Sequence, residues 1–271
     1  MLLNLILSDY FNQKISLSFS CLRSLRQINK EFNKEIPLRT KELVIRGGLP
    51  PDCLLNEYRN LEKLTVFDQT YSQGFYDLAE LRKAFFYNDG VVHGYLPKGN
   101  FPKLTYLQCY NVYVPRNIDL EHDYAYIKQL QYFNSLPGCN HIDEHVALGS
   151  KIISAHAHSS CFYVSDQNLK QDQDLVSDFD LKQDRNPFPD LREASIFFNN
   201  NSLKNKIYIG PYLENLRKVM IDLCIDTPEL NEIVNSVCRK INPEVFSMIA
   251  GTVTILPNME RIKHLNFSCY N

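Results

Sequence analysis

One short run of the chain contains the residue types of a hydrolytic zinc site. His141 and His145 stand four positions apart, and Glu144 lies between them. On a helix, histidines at this spacing share one face and could hold zinc, while the glutamate could act as a base toward a zinc-bound water. However, Gly138 and Gly149 bracket the run closely and leave little room for a helix, and no third ligand follows from the spacing. We therefore interpret the run as a polar turn.

No other pattern of reactive residues stands out. The sequence contains no glycine-rich phosphate loop and no Gly-x-Ser-x-Gly turn that would present a nucleophilic serine. Its eight cysteines are dispersed, without a Cys-x-x-Cys pair of the kind that binds zinc or exchanges disulfides. We therefore expect no catalytic residues, no metal and no cofactor, and hence a protein that is not an enzyme. Cysteine usage in so long a chain also favours a reducing compartment, the cytoplasm or the nucleus.

An apolar pattern, Leu-x-x-Leu-x-hydrophobic, recurs along most of the chain. Its middle positions fall at 64, 84, 107 and 130, and later at 194, 219 and 265. The first three steps are 20, 23 and 23 residues, and the last interval of 46 is twice 23. A unit of this length cannot bury its own apolar side, so it must stack on its neighbours. The seven matches begin at Leu61, Leu81, Leu104, Ile127, Leu191, Leu216 and Ile262.

Each unit has room for one short strand, a turn and a return segment, so stacked units predict a parallel sheet. Ile153 and Ala155 fit a degenerate unit, and another is expected near Val245. Residues 165–187 interrupt the pattern and are rich in Gln and Asp. Such polarity buries too little surface to offset the entropy of ordering, so we predict a flexible acidic insertion there.

The repeats resemble leucine-rich repeats, whose pattern is Leu-x-x-Leu-x-Leu-x-x-Asn. The resemblance covers residues 38–271 apart from the acidic insertion, and it implies an α/β solenoid that binds other proteins. In this chain the polar residue comes two residues after the third apolar position instead of three. The buried ladder of asparagine side chains that typical members form is therefore not implied. These polar residues are Asp68, Asn88, Asn111 and Asn134.

Residues 1–37 lack the repeat period and carry apolar stripes at helical spacing instead, which predicts a small all-α segment. Pro37 is expected to end its last helix, because the residue before a proline is disfavoured in the α conformation.

This N-terminal segment resembles an F-box. Leu2, Leu3, Ile6 and Leu7 match the opening of that motif, and residues 25–36 match its closing helix. The usual Leu-Pro-x-Glu entry is missing, and the middle loop is several residues longer than usual. The resemblance implies docking on the adaptor of a cullin-RING ubiquitin ligase through six apolar residues, with a cap on the first repeat as the alternative role. These residues are Leu3, Ile6, Leu7, Leu25, Ile28 and Phe32.

In five repeats, the residue directly after the third apolar position of the pattern is aromatic. Aromatic side chains dominate the energetics of protein interfaces, so this column is a candidate recognition stripe for a protein partner. The alternative is that these side chains pack against one another or under the loops at the strand ends. The five residues are Phe67, Tyr87, Tyr110, Phe133 and Phe197.

Charge and hydropathy restrict the classes of partner. The net charge is −2 and the basic residues are scattered, which does not favour nucleic-acid binding. No apolar run approaches the roughly 20 residues that span a membrane. The sequence therefore predicts a leucine-rich-repeat-like solenoid that recruits a protein substrate to an SCF-type ubiquitin ligase. A repeat scaffold unrelated to ubiquitin is one alternative, and a zinc metallopeptidase that uses His141, Glu144 and His145 is another.

Overall fold

A computed structural model describes fourteen stretches of the chain. They are residues 23–24, 26–27, 30–46, 49–67, 74–88, 94–110, 112–113, 122–136, 149–158, 188–198, 211–223, 227–250, 257–258 and 260–268. The acidic insertion predicted at 165–187 lies outside them.

The protein is a mixed α/β structure with a large parallel sheet and few helices among the described residues. It divides into two compact units. Unit 1 contains Met1–Tyr126 and Gly138–Asp143, and unit 2 contains Ile127–Pro137 and Glu144–Asn271. The 37/38 boundary expected from the sequence falls inside a helix of unit 1.

Unit 1 carries four parallel strands in the order β1-β2-β4-β7, with shorter strands and helices in the return segments. Its elements are α1 (Lys30–Arg39), β1 (Glu42–Arg46), α2 (Asp52–Leu55), β2 (Lys63–Phe67), β3 (Phe75–Asp77), β4 (Lys83–Tyr87), β5 (Gly94–Tyr95), β6 (Lys98–Asn100), β7 (Tyr106–Tyr110) and β8 (Val112–Tyr113), followed by the first residues of a 3₁₀ helix (Ala125–Gln129).

Unit 2 carries six parallel strands in the order β9-β10-β11-β12-β13-β14. Its strands and helices are β9 (Tyr132–Leu136), β10 (Ser154–His158), β11 (Glu193–Phe198), a 3₁₀ helix (Pro211–Asn215), β12 (Lys218–Leu223), α3 (Pro228–Lys240), β13 (Val245–Ile249) and β14 (His264–Ser268).

Neighbouring strands of unit 1 pair without slippage, so equivalent repeat positions form straight columns across the sheet. Successive strand residues point to opposite faces, and two columns on the core side are buried in every strand. The first column is Leu43, Leu64, Ala84 and Leu107, and the second is Ile45, Val66, Phe86 and Cys109.

A tight turn precedes β2, β4 and β7 and explains the leading leucine of the repeat. The backbone amide of Leu61 donates to the carbonyl of Tyr58 at 3.1 Å, and Leu81 and Leu104 make the same bond, at 3.1 Å, to the residue three positions back. All three leucine side chains are fully buried. The repeated leucine therefore closes a turn whose own polar groups are satisfied and covers the end of the core.

The carbonyl of the residue just before each strand links successive repeats. In unit 1, the oxygen of Glu62 accepts from the amides of Arg82 and Lys83, at 2.9 and 3.1 Å. In unit 2, the oxygen of Arg192 accepts in the same way from Arg217 and Lys218, at 2.7 and 3.1 Å. Because one carbonyl receives both amides, this contact sets the register at the start of the next strand.

One repeat of unit 2 has a register that differs from the predicted one. Leu130 and Tyr132 were expected to face the core, but Leu130 closes the turn and Tyr132 is 42% exposed. The inward residue is Phe133, which pairs with Ala155 and is 4% exposed. The prediction was wrong because Ser135 occupies the second inward position of this strand, so its alternation of apolar residues is broken.

Two helices also differ from expectation. Helix α1 continues through Pro37 to Arg39, although a proline has no amide hydrogen to donate to the carbonyl four residues back. Thr40 closes it, and both its amide (3.1 Å) and its hydroxyl (2.7 Å) donate to the carbonyl of Ile36. Helix α3 was not predicted. Thr227 caps it, and its hydroxyl accepts from the amide of Leu230 at 3.3 Å.

Replacing Leu64 with alanine should lower the free energy of unfolding by about 2–5 kcal/mol, because the side chain is buried between Leu43 and Ala84 and its removal leaves a cavity. Urea unfolding followed by circular dichroism measures this loss. Thr65→Ala, one position along the same strand but on the opposite face, is the matched control. Equal losses for the two variants would contradict the register.

Candidate binding face of the repeat sheet

The sheet face of unit 1 that points away from the core is here called the open face. Its side chains are half-buried or exposed and form three columns across β1, β2, β4 and β7. The columns are Glu42, Lys63, Lys83 and Tyr106; then Val44, Thr65, Phe85 and Gln108; then Arg46, Phe67, Tyr87 and Tyr110.

The third column is a row of aromatic rings that begins with an arginine. The rings of Phe67 and Tyr87 stack with their centroids 5.3 Å apart and an interplanar angle of 18°. The guanidinium carbon of Arg46 lies 5.2 Å from the centroid of the Phe67 ring, which is a cation–π distance. Tyr110 is paired in register beside Tyr87. This row therefore presents flat apolar surface beside a positive charge.

A second aromatic pair lies in the neighbouring columns. The ring centroids of Phe85 and Tyr106 are 5.3 Å apart, and the ammonium of Lys63 lies 5.8 Å from the Phe85 centroid. The Tyr106 hydroxyl donates to the side-chain oxygen of Gln108 at 3.1 Å. Lys63 also pairs with Glu42 at 3.2 Å. The rings are thus held in place by neighbours on the sheet itself.

Charge on the open face is predominantly positive. Its cations are Arg46, Lys63 and Lys83, and its carboxylate is Glu42. Because Glu42 pairs with Lys63, the other two cations are uncompensated on this face. Partial burial raises the pKa of the Tyr87 phenol, with a further contribution from Tyr106, so that phenol stays a neutral hydrogen-bonding group at physiological pH.

The structure brings three of the five predicted stripe residues together on the open face, namely Phe67, Tyr87 and Tyr110. The other two lie in unit 2 and are buried, with Phe133 at 4% and Phe197 at 7% exposure. Phe133 is buried because the register of β9 differs from the predicted one. Phe197 alternates with the inward residues as expected, but nearly all of β11 is covered on both faces.

The predicted recognition stripe did not include two aromatic residues of the open face, Phe85 and Tyr106. Both lie at outward positions of the strands, so the alternation that identified Tyr87 could have identified them as well. Their contact joins adjacent strands diagonally, because Phe85 is in register with Gln108 and not with Tyr106. That diagonal contact does not follow from a repeat pattern.

The equivalent face of unit 2 has a different composition. The column formed by in-register residues in β10–β14 consists of His156, Ser195, Met220, Ser247 and Asn266. Burial lowers the pKa of His156, and the nearby Lys218 lowers it further while Glu193 opposes the shift. In the described residues, the continuous aromatic row is a feature of unit 1.

The candidate residues of the other functional hypotheses fall largely outside this description. His141, Glu144 and His145 lie outside the described residues, as do the adaptor candidates Leu3, Ile6, Leu7, Leu25 and Ile28. Phe32 belongs to α1, although its side chain is not among those described.

The described stretches hold no group of three His, Cys, Asp or Glu side chains placed to bind a metal. Within those stretches no helix combines the length and apolarity needed to cross a bilayer.

Comparison of the chain with models of known protein families, with curated proteins and with solved structures found no match.

Three cysteines should differ sharply in reactivity toward iodoacetamide. Cys53 is exposed, whereas Cys109 and Cys238 are buried. Burial raises the pKa of both buried thiols, to about 12 for Cys238, so almost no reactive thiolate forms at neutral pH.

Peptide mass spectrometry after timed labelling at neutral pH should show Cys53 modified first, and urea should bring Cys109 and Cys238 to a similar rate. Rapid labelling of Cys109 in the folded protein would contradict its placement in the core.

Proposed function

We propose that this chain is a non-catalytic binding subunit that recognises a protein partner through the open face of unit 1. The observation that carries the proposal is the in-register row of Phe67, Tyr87 and Tyr110, which adjoins the pair Phe85 and Tyr106. Aromatic residues of this kind, half-buried and already held by neighbours, lose little conformational entropy when a partner covers them.

Charge supports a partner with acidic residues. Arg46 stands at one end of the aromatic row, and Lys83 lies four residues before Tyr87 on the same strand and face. Carboxylates on a partner could pair with these cations while apolar side chains cover the rings. The overall net charge of −2 means that this attraction is local to the face.

The proposed architecture is a leucine-rich-repeat-like solenoid. It is supported by the parallel strands of each unit, the buried inward columns and the tight turn before each strand. Repeats of this kind commonly bind partners on the face formed by their strands.

We further propose that the bound partner is a substrate for ubiquitin ligation, in the cytoplasm or the nucleus. The support is the F-box-like sequence of residues 25–36, part of which forms α1, directly ahead of the repeats. On this proposal, the N-terminal segment docks on the adaptor of a cullin-RING ligase while the open face holds the substrate.

A repeat scaffold unrelated to ubiquitin is the alternative, and one contact favours it. Arg26 bonds to Asn33 at 2.8 Å and forms an ion pair with Glu57, which follows α2 in the first repeat. The ion pair with Glu57 holds the N-terminal segment against the repeats, as a cap would. In the cap role, the segment covers the end of the core and binds no adaptor.

Replacing Tyr87 and Tyr110 together with alanine should weaken partner binding by at least about tenfold, since each is an aromatic anchor of the kind that costs over 1 kcal/mol when truncated. Partners captured from cell extract by the wild type and quantified by mass spectrometry provide the readout. Phe75→Ala is the matched control, because Phe75 is 44% exposed on β3 and lies outside the open face. Unchanged capture by a folded double variant would make the row structural.

The ubiquitin proposal is tested by a pull-down with purified cullin-ligase adaptor. Wild type should bind, and a variant with Leu3, Ile6 and Leu7 changed to aspartate should not, because charged groups cannot enter an apolar interface without a large desolvation cost. Circular dichroism checks that the repeats stay folded. If the wild type fails to bind, residues 1–37 are a cap and the scaffold alternative holds.

A further inference from the structure

Three arginines converge on one cavity of unit 2. The cavity has a volume of about 320 Å³ and lies at the ends of the strands where the turns enter the sheet. Its lining residues include three arginines, Arg192, Arg217 and Arg261, and two acidic residues, Glu214 and Glu244. The remaining lining residues are Asn215, Leu216 and Asn242.

The repeat register brings two of the arginines side by side. Arg192 and Arg217 occupy the position just before β11 and β12, and the carbonyl of Arg192 accepts from the amide of Arg217 at 2.7 Å. The carbonyl of Arg217 accepts in turn from Glu244 at 2.7 Å and from Val245 at 3.0 Å. The backbone at this edge of the cavity is therefore fixed before any ligand arrives.

The three guanidinium groups differ in how many hydrogen bonds and ion pairs they already form within the protein. Arg192 donates to the backbone carbonyls of Pro189 at 2.8 Å and Leu191 at 3.1 Å, which holds its side chain in place. Arg217 and Arg261 form neither an ion pair nor a side-chain hydrogen bond in the part of the chain that the structure describes. Both keep donors free for a ligand.

The carboxylates do not cancel this charge. Lys263 holds Glu244 at 2.7 Å, so that carboxylate is already neutralised from outside the cavity lining. The hydrogen bond from Lys263 lowers the pKa of Glu244, and the positive charges of Arg217 and Arg261 lower it further. Glu214 is then the single uncompensated carboxylate against three arginines.

We propose that this cavity binds a compact phosphate-class oxyanion, either inorganic phosphate or a phosphate monoester. Guanidinium groups present planar forks of donors that match the oxygens of phosphate, and clusters of arginine are the usual means of recognising it. Glu214 disfavours an extended polyanion such as nucleic acid, because the next phosphates along the strand would meet its negative charge.

Isothermal titration of the full chain with sodium phosphate, at an ionic strength held constant with sodium chloride, tests the site. Saturable binding is expected for wild type, and Arg217→Gln with Arg261→Gln should weaken it by about tenfold or more, because the two free guanidinium groups are lost. Arg239→Gln with Lys240→Gln, at the exposed end of α3, removes the same two charges outside the cavity and should bind like the wild type. Glu214→Gln should bind more tightly, since it removes the repulsive carboxylate.

A parallel titration with O-phosphoserine separates the two sources of the phosphate group. Tighter binding of phosphoserine identifies a monoester site, and binding of inorganic phosphate alone identifies a site for the free ion. Thermal melts confirm that each variant is folded. The proposal fails if neither ligand binds the wild type saturably, or if the arginine double variant binds as the wild type does.

Discussion

Register between neighbouring parallel strands determines which side chains of this protein are buried and which are available. Within each unit, the carbonyl of the residue before a sheet strand accepts two amides of the next repeat, one from the equivalent residue and one from the first residue of the strand, as Glu62 does from Arg82 and Lys83. A slip of one residue would turn the buried column through Leu64 toward solvent and bring the half-buried rings inward. The hydrogen bonds at this carbonyl and the apolar columns therefore reinforce each other, because both are satisfied in the same register.

The chemistry of the open face follows from this register. In-register pairing places equivalent residues of adjacent strands about 4.8 Å apart, close enough for aromatic rings to stack. Phe67 and Tyr87 stack for this reason, and Arg46 covers the end of the row. The same repetition that builds the core thus builds a continuous surface from one residue per repeat, and this surface carries the proposed function.

The same hydrogen-bonding pattern produces a different surface at the strand entrances of unit 2. There the position before the strand holds Arg192 and Arg217 in consecutive repeats, whereas unit 1 has Glu62 and Arg82 at that position. Opposite charges in adjacent repeats can pair with each other, but like charges leave donors free for an anion. The next residue at this position in unit 2 is Glu244, which pairs with Lys263, so the like charges of Arg192 and Arg217 remain at this edge.

Much of the sheet could be predicted from the sequence alone. In most repeats with apolar residues at both inward positions, as with Leu64 and Val66 or Val219 and Ile221, alternation identified the strand and its buried face. In β14 the same two positions, Leu265 and Phe267, are 42% and 40% exposed, so the predicted buried face was wrong there. Three residues of the open face, Phe67, Tyr87 and Tyr110, followed from the same reasoning. Alternation failed at β9, where Ser135 replaces the second apolar residue and Leu130 imitates a strand position although it closes a turn.

The sequence by itself determined the repeat, the parallel pairing and the inward columns of unit 1, because a period of two residues specifies which side chains of a strand share a face. Only the tertiary structure decided that Phe197 is buried, that Phe85 meets Tyr106 diagonally, and that three arginines line one cavity. These contacts depend on what covers the second face of each strand and on how return segments of different lengths bring distant residues together. Neither property is encoded in the local alternation of polar and apolar residues.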